Sequence, residues 1–311
     1  EYMRMDKRFI LIQNEQKLGI SESMNRGLEI ASGTYIARMD ADDISLPQRF
    51  EKQVEYLENH LDIVMCGVKV EIFGSNPFEW ELETDTEKLA TNILFYSPSV
   101  HPTVMVRRDF LEQYQIRYNK EYKASEDYDF FAQICRYGKI ANLEEVLFRY
   151  RIMNNNATFK NSTIGMEIYS NVMERQFQEL GLHFSKAEIE LLSPHYSIKN
   201  LKGDAVLEAL QEIELLLQKI FLANEKIKRY SRRFLWKTLQ KRFKETCGST
   251  EWFCKDFDRS KVNMIETHSI FCREEFYKAA PVKEGFDPKV TVLIPTYCSE
   301  NYILGTLWSV L

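Results

Sequence analysis

No apolar run in these 311 residues approaches the roughly 18 that a bilayer-crossing helix requires. A basic excess is missing too. The 41 Lys and Arg stand against 46 Asp and Glu, a net charge of −5. Nucleic acid is therefore not expected as a partner, because neutralising phosphates takes a basic face. Cysteine is sparse: Cys66, Cys135, Cys247, Cys254, Cys272 and Cys298 show no disulfide rhythm, which suits a reducing cytoplasm. The grouping Cys247-x6-Cys254-x13-His268-x3-Cys272 has a first gap wider than zinc knuckles use, so ordinary thiols are expected there. Short repeats are absent. Glu1 rather than Met stands first, and the sequence is read as a piece of a longer protein.

What is present is enough for a core. Hydrophobic residues make up 44% and aromatics 13%, which speaks against disorder, and the length suits about two domains. Arg8 to Ile12 reads as a short buried strand. Ser21 is expected to cap a helix through Ile20, Met24, Leu28 and Ala31 that stops at Gly33. A strand from Thr34 to Met39 follows. Ser45-Leu46-Pro47-Gln48 has the form of a capping box opening a helix that buries Phe50, Val54 and Leu57. Strand and helix alternating at this spacing imply an α/β sheet. Further strands are expected over Ile63 to Phe73, His101 to Val106 and around Val146 to Phe148, with a helix from Glu126 to Tyr137 ended by Gly138.

Two acidic groups carry the candidate chemistry. Asp40, Asp42 and Asp43 fall at the carboxyl end of the second strand, where open α/β sheets bind ligands. Three carboxylates within four residues repel one another unless a cation joins them, and Mg²⁺ or Mn²⁺ is commonly held by one or two carboxylates plus substrate phosphates. The plainer alternative is a solvated acidic turn. Ser125-Glu126-Asp127-Tyr128-Asp129 begins a helix, and its acids could serve the helix dipole alone. Gly27, inside a helix, costs about 1 kcal/mol relative to alanine, and a close approach by ligand or backbone would compensate.

Asn14-Glu15-x-x-Leu18-Gly19, Asn25-Arg26-Gly27, Ala31-Ser32-Gly33-Thr34-Tyr35-Ile36 and Met39-Asp40-Ala41-Asp42-Asp43 stand in an order and spacing that resembles family 2 glycosyltransferases. The resemblance covers residues 1–158 and 288–311. It implies a GT-A fold, a Rossmann-like mixed sheet flanked by helices, followed here by an α-helical region. It implies that Asn25, Gly27 and Asp40 help hold a nucleotide-sugar donor, UDP-linked by expectation, and that Asp42 and Asp43 bind Mg²⁺ or Mn²⁺. It implies that Asp127, beside Glu126, is the general base of an inverting transfer to a saccharide or lipid-linked acceptor in surface polysaccharide assembly. His101 resembles an acceptor-side residue of the family. Met153 stands where a histidine is frequent, which would weaken metal affinity.

Val290-Thr291-Val292-Leu293-Ile294, then Pro295-Thr296-Tyr297, resembles the start of the same kind of domain, with Thr296 and Tyr297 flanking the nucleotide base. The segment that follows it in the family, ending Asp-Asp-Gly-Ser, is missing. The expected division is therefore 1–160 as a glycosyltransferase domain lacking its first strands, 161–280 as helices and connector, and 281–311 as the beginning of a second domain. Strand 290–294 is expected to lie parallel to strand 34–39, in the vacant slot. Between Lys219 and Lys244, ten Lys or Arg alternate with apolar residues. That pattern suits either peripheral contact with an anionic membrane or a docked helix with a solvated basic face. A catalytically silent tandem scaffold, docking a partner enzyme at a membrane, is the alternative to an enzyme.

Overall fold

A computed structural model describes residues 6, 8–74, 79–80, 82–152, 162–195, 201, 204–253 and 290–293. Among them, strands β1 (Tyr35–Arg38), β2 (Ile44–Ser45), β3 (Ile63–Gly74), β4 (Glu79–Trp80), β5 (Met105–Arg107), β6 (Lys139–Ile152) and β7 (Val290–Leu293) form one sheet. Its order is β2-β6-β3-β5-β1-β7, with β4 pairing to β3. The β3–β6 and β1–β7 pairs are parallel and the others antiparallel. The expected α/β class, a mixed sheet flanked by helices, is what forms.

Helices α1 (Ile20–Ile30), α2 (Arg49–Asn59), α3 (Thr86–Asn92), α4 (Arg108–Gln113) and α5 (Glu126–Tyr137) accompany the sheet. After it come α6 (Ser162–Gln178), α7 (Lys186–Leu192), α8 (Asp204–Ile227) and α9 (Arg232–Phe253). One contiguous core runs from Met24, Leu28 and Ile36 through Phe130 and Phe131 to Leu210, Leu239 and Phe243. The helical region is thus packed onto the sheet domain rather than standing apart. Buried hydrogen bonds join them: the Thr91 and Thr238 hydroxyls lie 2.7 Å apart, and Thr238 donates to Asn92.

Several local expectations are corrected. Arg8 to Ile12 is not a strand, and Ile10 and Leu11 are 72% and 66% exposed. Both edges of β1 are already paired, by β5 and β7, so this run finds no ladder beside it. The three serines expected to cap helices are used elsewhere. Ser21 lies inside α1, behind Gly19 at φ 88°, and donates to the Tyr122 carbonyl. Ser45 is in β2 opposite Phe148, and α2 starts beyond it at Arg49. Ser125 takes a left-handed φ of 51° and donates to the Gly165 carbonyl. α5 ends before Gly138 as expected; a Cβ there would come within 2.5 Å of Val64.

The basic stretch 219–244 is two helices, not one, broken at 228–231 with Lys228 at φ 56°. Asn224 bridges the break, exchanging hydrogen bonds with the Tyr230 backbone. Ile220, Leu235, Leu239 and Phe243 are fully buried in the core. These four apolar side chains are spent on packing, while Leu222 and Ile227 of the same stretch stay exposed.

β7 lies parallel to β1 as expected, with Tyr35 opposite Val290 and Arg38 opposite Leu293.

Candidate active site

The site grows from β1, whose four residues are all buried. A charged residue in such a strand must be paired, and Arg38 is: its Nη1 lies 2.5 Å from Oδ2 of Asp40 in the following turn. Beneath it, the buried Arg49 of α2 donates through Nη2 to the Arg38 carbonyl and through Nε to Gln53, and its guanidinium lies over the Phe148 ring. Gln53 in turn donates to the carbonyls of Cys66 and Thr103. The polar stripe Arg49, Gln53 of α2 is thus deeper than the apolar Phe50 and Val54 expected there, because it ties β1, β3 and the turn before β5 together.

The three aspartates divide. Asp40, half-buried, is held by Arg38. Asp42 is also half-buried, and its carboxyl is raised above the ordinary range by burial and by Asp40. Asp43 is buried, its Oδ1 accepting the Arg151 N–H at 2.8 Å, while Arg151 Nε donates to the Asp42 carbonyl. Burial, then repulsion from Asp40, lifts Asp43 to about 8. Of the expected metal pair, Asp42 lies nearer solvent and Asp43 turns inward to β6.

The second acidic group sits at the start of α5. Glu126 is buried and Asp127 half-buried, with Asp127 Oδ1 accepting the Tyr128 N–H at 2.9 Å. Burial and the charge of Asp127 raise Glu126 to about 7, and burial raises Asp127. Arg38 draws both toward their ionised forms, and Asp40 opposes it. The charges of Arg38 and Asp40 thus bear on Glu126 and Asp127 although 83 positions separate Asp43 from Glu126 in the sequence.

Tyr118 stitches this arrangement. Its ring stacks on Phe130 of α5 at 4.2 Å, and its hydroxyl shares a 2.8 Å hydrogen bond with His101 Nε2. His101 is buried, and burial together with Arg38 holds it well below the ordinary imidazole range, so it is neutral. That matches a satisfied structural histidine. Asn25 clamps the Tyr118 backbone from both sides: Nδ2 donates to the carbonyl at 2.8 Å and Oδ1 accepts the N–H at 2.9 Å. Gly27 lies buried in α1, beside Met24 and Leu28.

Thr296, Tyr297 and Met153 lie outside the described residues, as do Cys254, His268 and Cys272. Cys247 is a buried thiol. Arg38 and Tyr118 escaped the sequence reading. Arg38 alone left a signal, a lone charge within the apolar run Tyr35 to Met39.

With this geometry in place, comparison gives a likeness: residues 1–132 match the family described as Glycosyl transferase family 2. Among relatives, an uncharacterised glycosyltransferase of Haemophilus influenzae is 34% identical over 167 residues, 50% of this chain and 51% of its own length. The uncharacterised glycosyltransferase MJ1057 of Methanocaldococcus jannaschii is 39% identical over 159 residues, 50% and 54% of the two chains. The amylovoran biosynthesis glycosyltransferase AmsE of Erwinia amylovora is 32% identical over 145 residues, 46% and 54%. The chain spans about half the length of the curated relatives it matches.

Proposed function

We propose that this chain carries the transferring site of a glycosyltransferase in surface polysaccharide biosynthesis. The reaction moves a sugar, with inversion, from a nucleotide-sugar donor (UDP-linked) to a saccharide or lipid-linked acceptor. The observation that carries it is the ion pair of buried Arg38 with Asp40, next to Asp42, whose charges also bear on Glu126 and Asp127 at the start of α5. The match of residues 1–132 to Glycosyl transferase family 2 supports it, and so does AmsE, whose name places that relative in amylovoran biosynthesis.

Among the described residues no three His, Cys, Asp or Glu side chains converge as a ready metal cage. A cation held by one or two carboxylates plus substrate phosphates needs none, and Asp42, with Asp43 in support, fits that lesser demand. Bound there, Mg²⁺ or Mn²⁺ would supply positive charge against the departing diphosphate. Arg38 orients Asp40 toward the donor. Asp127 takes the proton of the acceptor hydroxyl as its oxygen bonds to the anomeric carbon and the carbon–phosphate oxygen bond breaks. Burial and the charge of Asp127 push Glu126 to about 7, so the pair holds a proton more readily than ordinary carboxyls do. Thr296 and Tyr297 are proposed to flank the nucleotide base. With Ile220, Leu235, Leu239 and Phe243 buried, a membrane contact through 219–244 is no part of this reading.

Calorimetric titration of UDP with and without Mn²⁺ tests the reading. Metal-dependent binding that Asp42→Ala abolishes is the expected result; nucleotide binding absent under both conditions sinks it. In the full-length protein, Asp127→Asn should stop transfer while leaving nucleotide binding intact.

A further inference from the structure

Ser125, the residue before the Glu126–Asp127 pair, is held in a strained conformation. Its φ of 51° and ψ of 22° are left-handed, a region that a residue with a Cβ seldom enters. A serine at a helix start ordinarily takes an extended backbone and accepts an N–H of the first turn without strain. Here the hydroxyl makes no cap and donates instead to the Gly165 carbonyl of α6 at 3.1 Å. The approach at that point is close: a Cβ on Gly165 would meet Ser125 Oγ at 3.3 Å and the Ala124 Cβ at 3.6 Å. Strain of this kind persists only where the surroundings enforce it, and it gathers at functional sites.

α6 takes hold of the next residues as well. Tyr169 stacks on Tyr128, ring centres 4.0 Å apart and 13° from parallel, and Gln176 donates to the Tyr128 hydroxyl at 3.1 Å. Arg175 pairs with Asp129, which is buried. The same helix is anchored to the chain ahead of His101. Gln176 donates to the Ile93 carbonyl at 2.9 Å, and the Tyr169 hydroxyl to the Phe95 carbonyl at 2.8 Å. Ser125, Tyr128 and Asp129 stand at i, i+3 and i+4, along one face of α5. Glu126 and Asp127 fall outside that face, since each residue turns the helix by about 100°. α6 therefore grips the back of the turn whose other side carries the acids. It lies beyond residues 1–132, which match the family.

We propose that α6 is a positioning element of the transfer: through Gly165 and Tyr169 it fixes the rotation of the first turn of α5, and with it the aim of Asp127 at the acceptor hydroxyl. The inference rests on the transferase reading and adds to it the part of the chain that sets the base's direction. A Ser125 free to relax would re-aim both acids, and a misplacement of about 1 Å at a reacting group can cost on the order of a hundredfold in rate.

The test compares Gly165→Ala, Tyr169→Leu and Tyr169→Phe, each assayed well below its thermal midpoint. Alanine is the better helix former, so Gly165→Ala should keep or raise that midpoint. Its methyl nevertheless presses on Ser125 Oγ, which cannot retreat without loosening its bond to the Gly165 carbonyl. In the full-length enzyme kcat should fall about tenfold, with KM for the donor within about twofold. Tyr169→Leu removes the stack and should act alike, whereas Tyr169→Phe keeps it and should hold kcat within about threefold. A helix that served stability alone would leave Gly165→Ala with a firm fold and full turnover. That outcome overturns the proposal, as does a Tyr169→Leu protein that melts lower yet turns over like wild type. If Tyr169→Leu does not fold, Gly165→Ala decides by itself. A wild-type protein that transfers no sugar would defeat the transferase reading. α6 is then judged by amide NMR, in which Gly165→Ala should shift the Glu126 and Asp127 signals; unmoved signals are equally fatal.

Discussion

Replacing Asn25 by alanine separates two roles that the structure and the family resemblance give to one side chain. The resemblance makes Asn25 a donor-binding residue. The structure spends both ends of its amide on the backbone of buried Tyr118. Asn25→Ala strands one N–H and one C=O, each costing about 1–3 kcal/mol when left unmet. Asn25 is half-buried, so water can reach part of the gap, and the lower half of that range applies. A loss of about 2–4 kcal/mol follows, equivalent to a melting temperature lower by on the order of 5–10 °C. Urea unfolding and thermal melting measure it. Asn25→Asp should be nearly as harmful, because its carboxylate still accepts the Tyr118 N–H but opposes the Tyr118 carbonyl. Unchanged stability together with weakened nucleotide binding would refute the reasoning and restore Asn25 as a ligand contact.

Glu126→Gln should stabilise the protein above neutrality. The native state raises Glu126 from 4.5 to about 7, so its proton is held more tightly folded than unfolded. Stability is then highest below 4.5 and is lost as pH rises toward about 7; glutamine removes that loss, by on the order of 1–3 kcal/mol at pH 8 and by nothing at pH 4, in denaturation curves at the two pH values. Arg175→Ala leaves buried Asp129 without its cation and should cost about 2 kcal/mol in urea, with Asp129→Asn in the same background restoring most of it. Deleting residues 290–293 should speed hydrogen exchange at Tyr35 and Ala37, whose amides face β7, and spare Ile36 and Arg38, whose amides face β5; equal change at all four would contradict the pairing.

Periodicity was a good guide where burial follows local spacing. The strand over 63–73 and the helix over 126–137 came out within a residue, because each is long, apolar on one face and closed by a residue that halts it. Serine was a poor guide. Ser21, Ser45 and Ser125 each had a helix to cap, yet tertiary neighbours offered carbonyls or a strand partner instead. Periodicity also misjudged Arg8 to Ile12, since whether a short apolar run becomes a strand depends on an open ladder, which no local pattern records.

By itself the order of residues determined the chemistry available: the aspartates after a buried strand, the Glu126–Asp127 pair on a helix start, and the likeness of residues 1–132 to family 2 glycosyltransferases. Only the tertiary structure decided how those groups share charge. It brought β1 and α5 together through Tyr118, turned Asp43 inward to Arg151, gave Asn25 to the backbone, and set Arg38 among the acids. Coulomb forces act across space rather than along the chain, so a carboxylate's proton affinity is a property of the assembled neighbourhood.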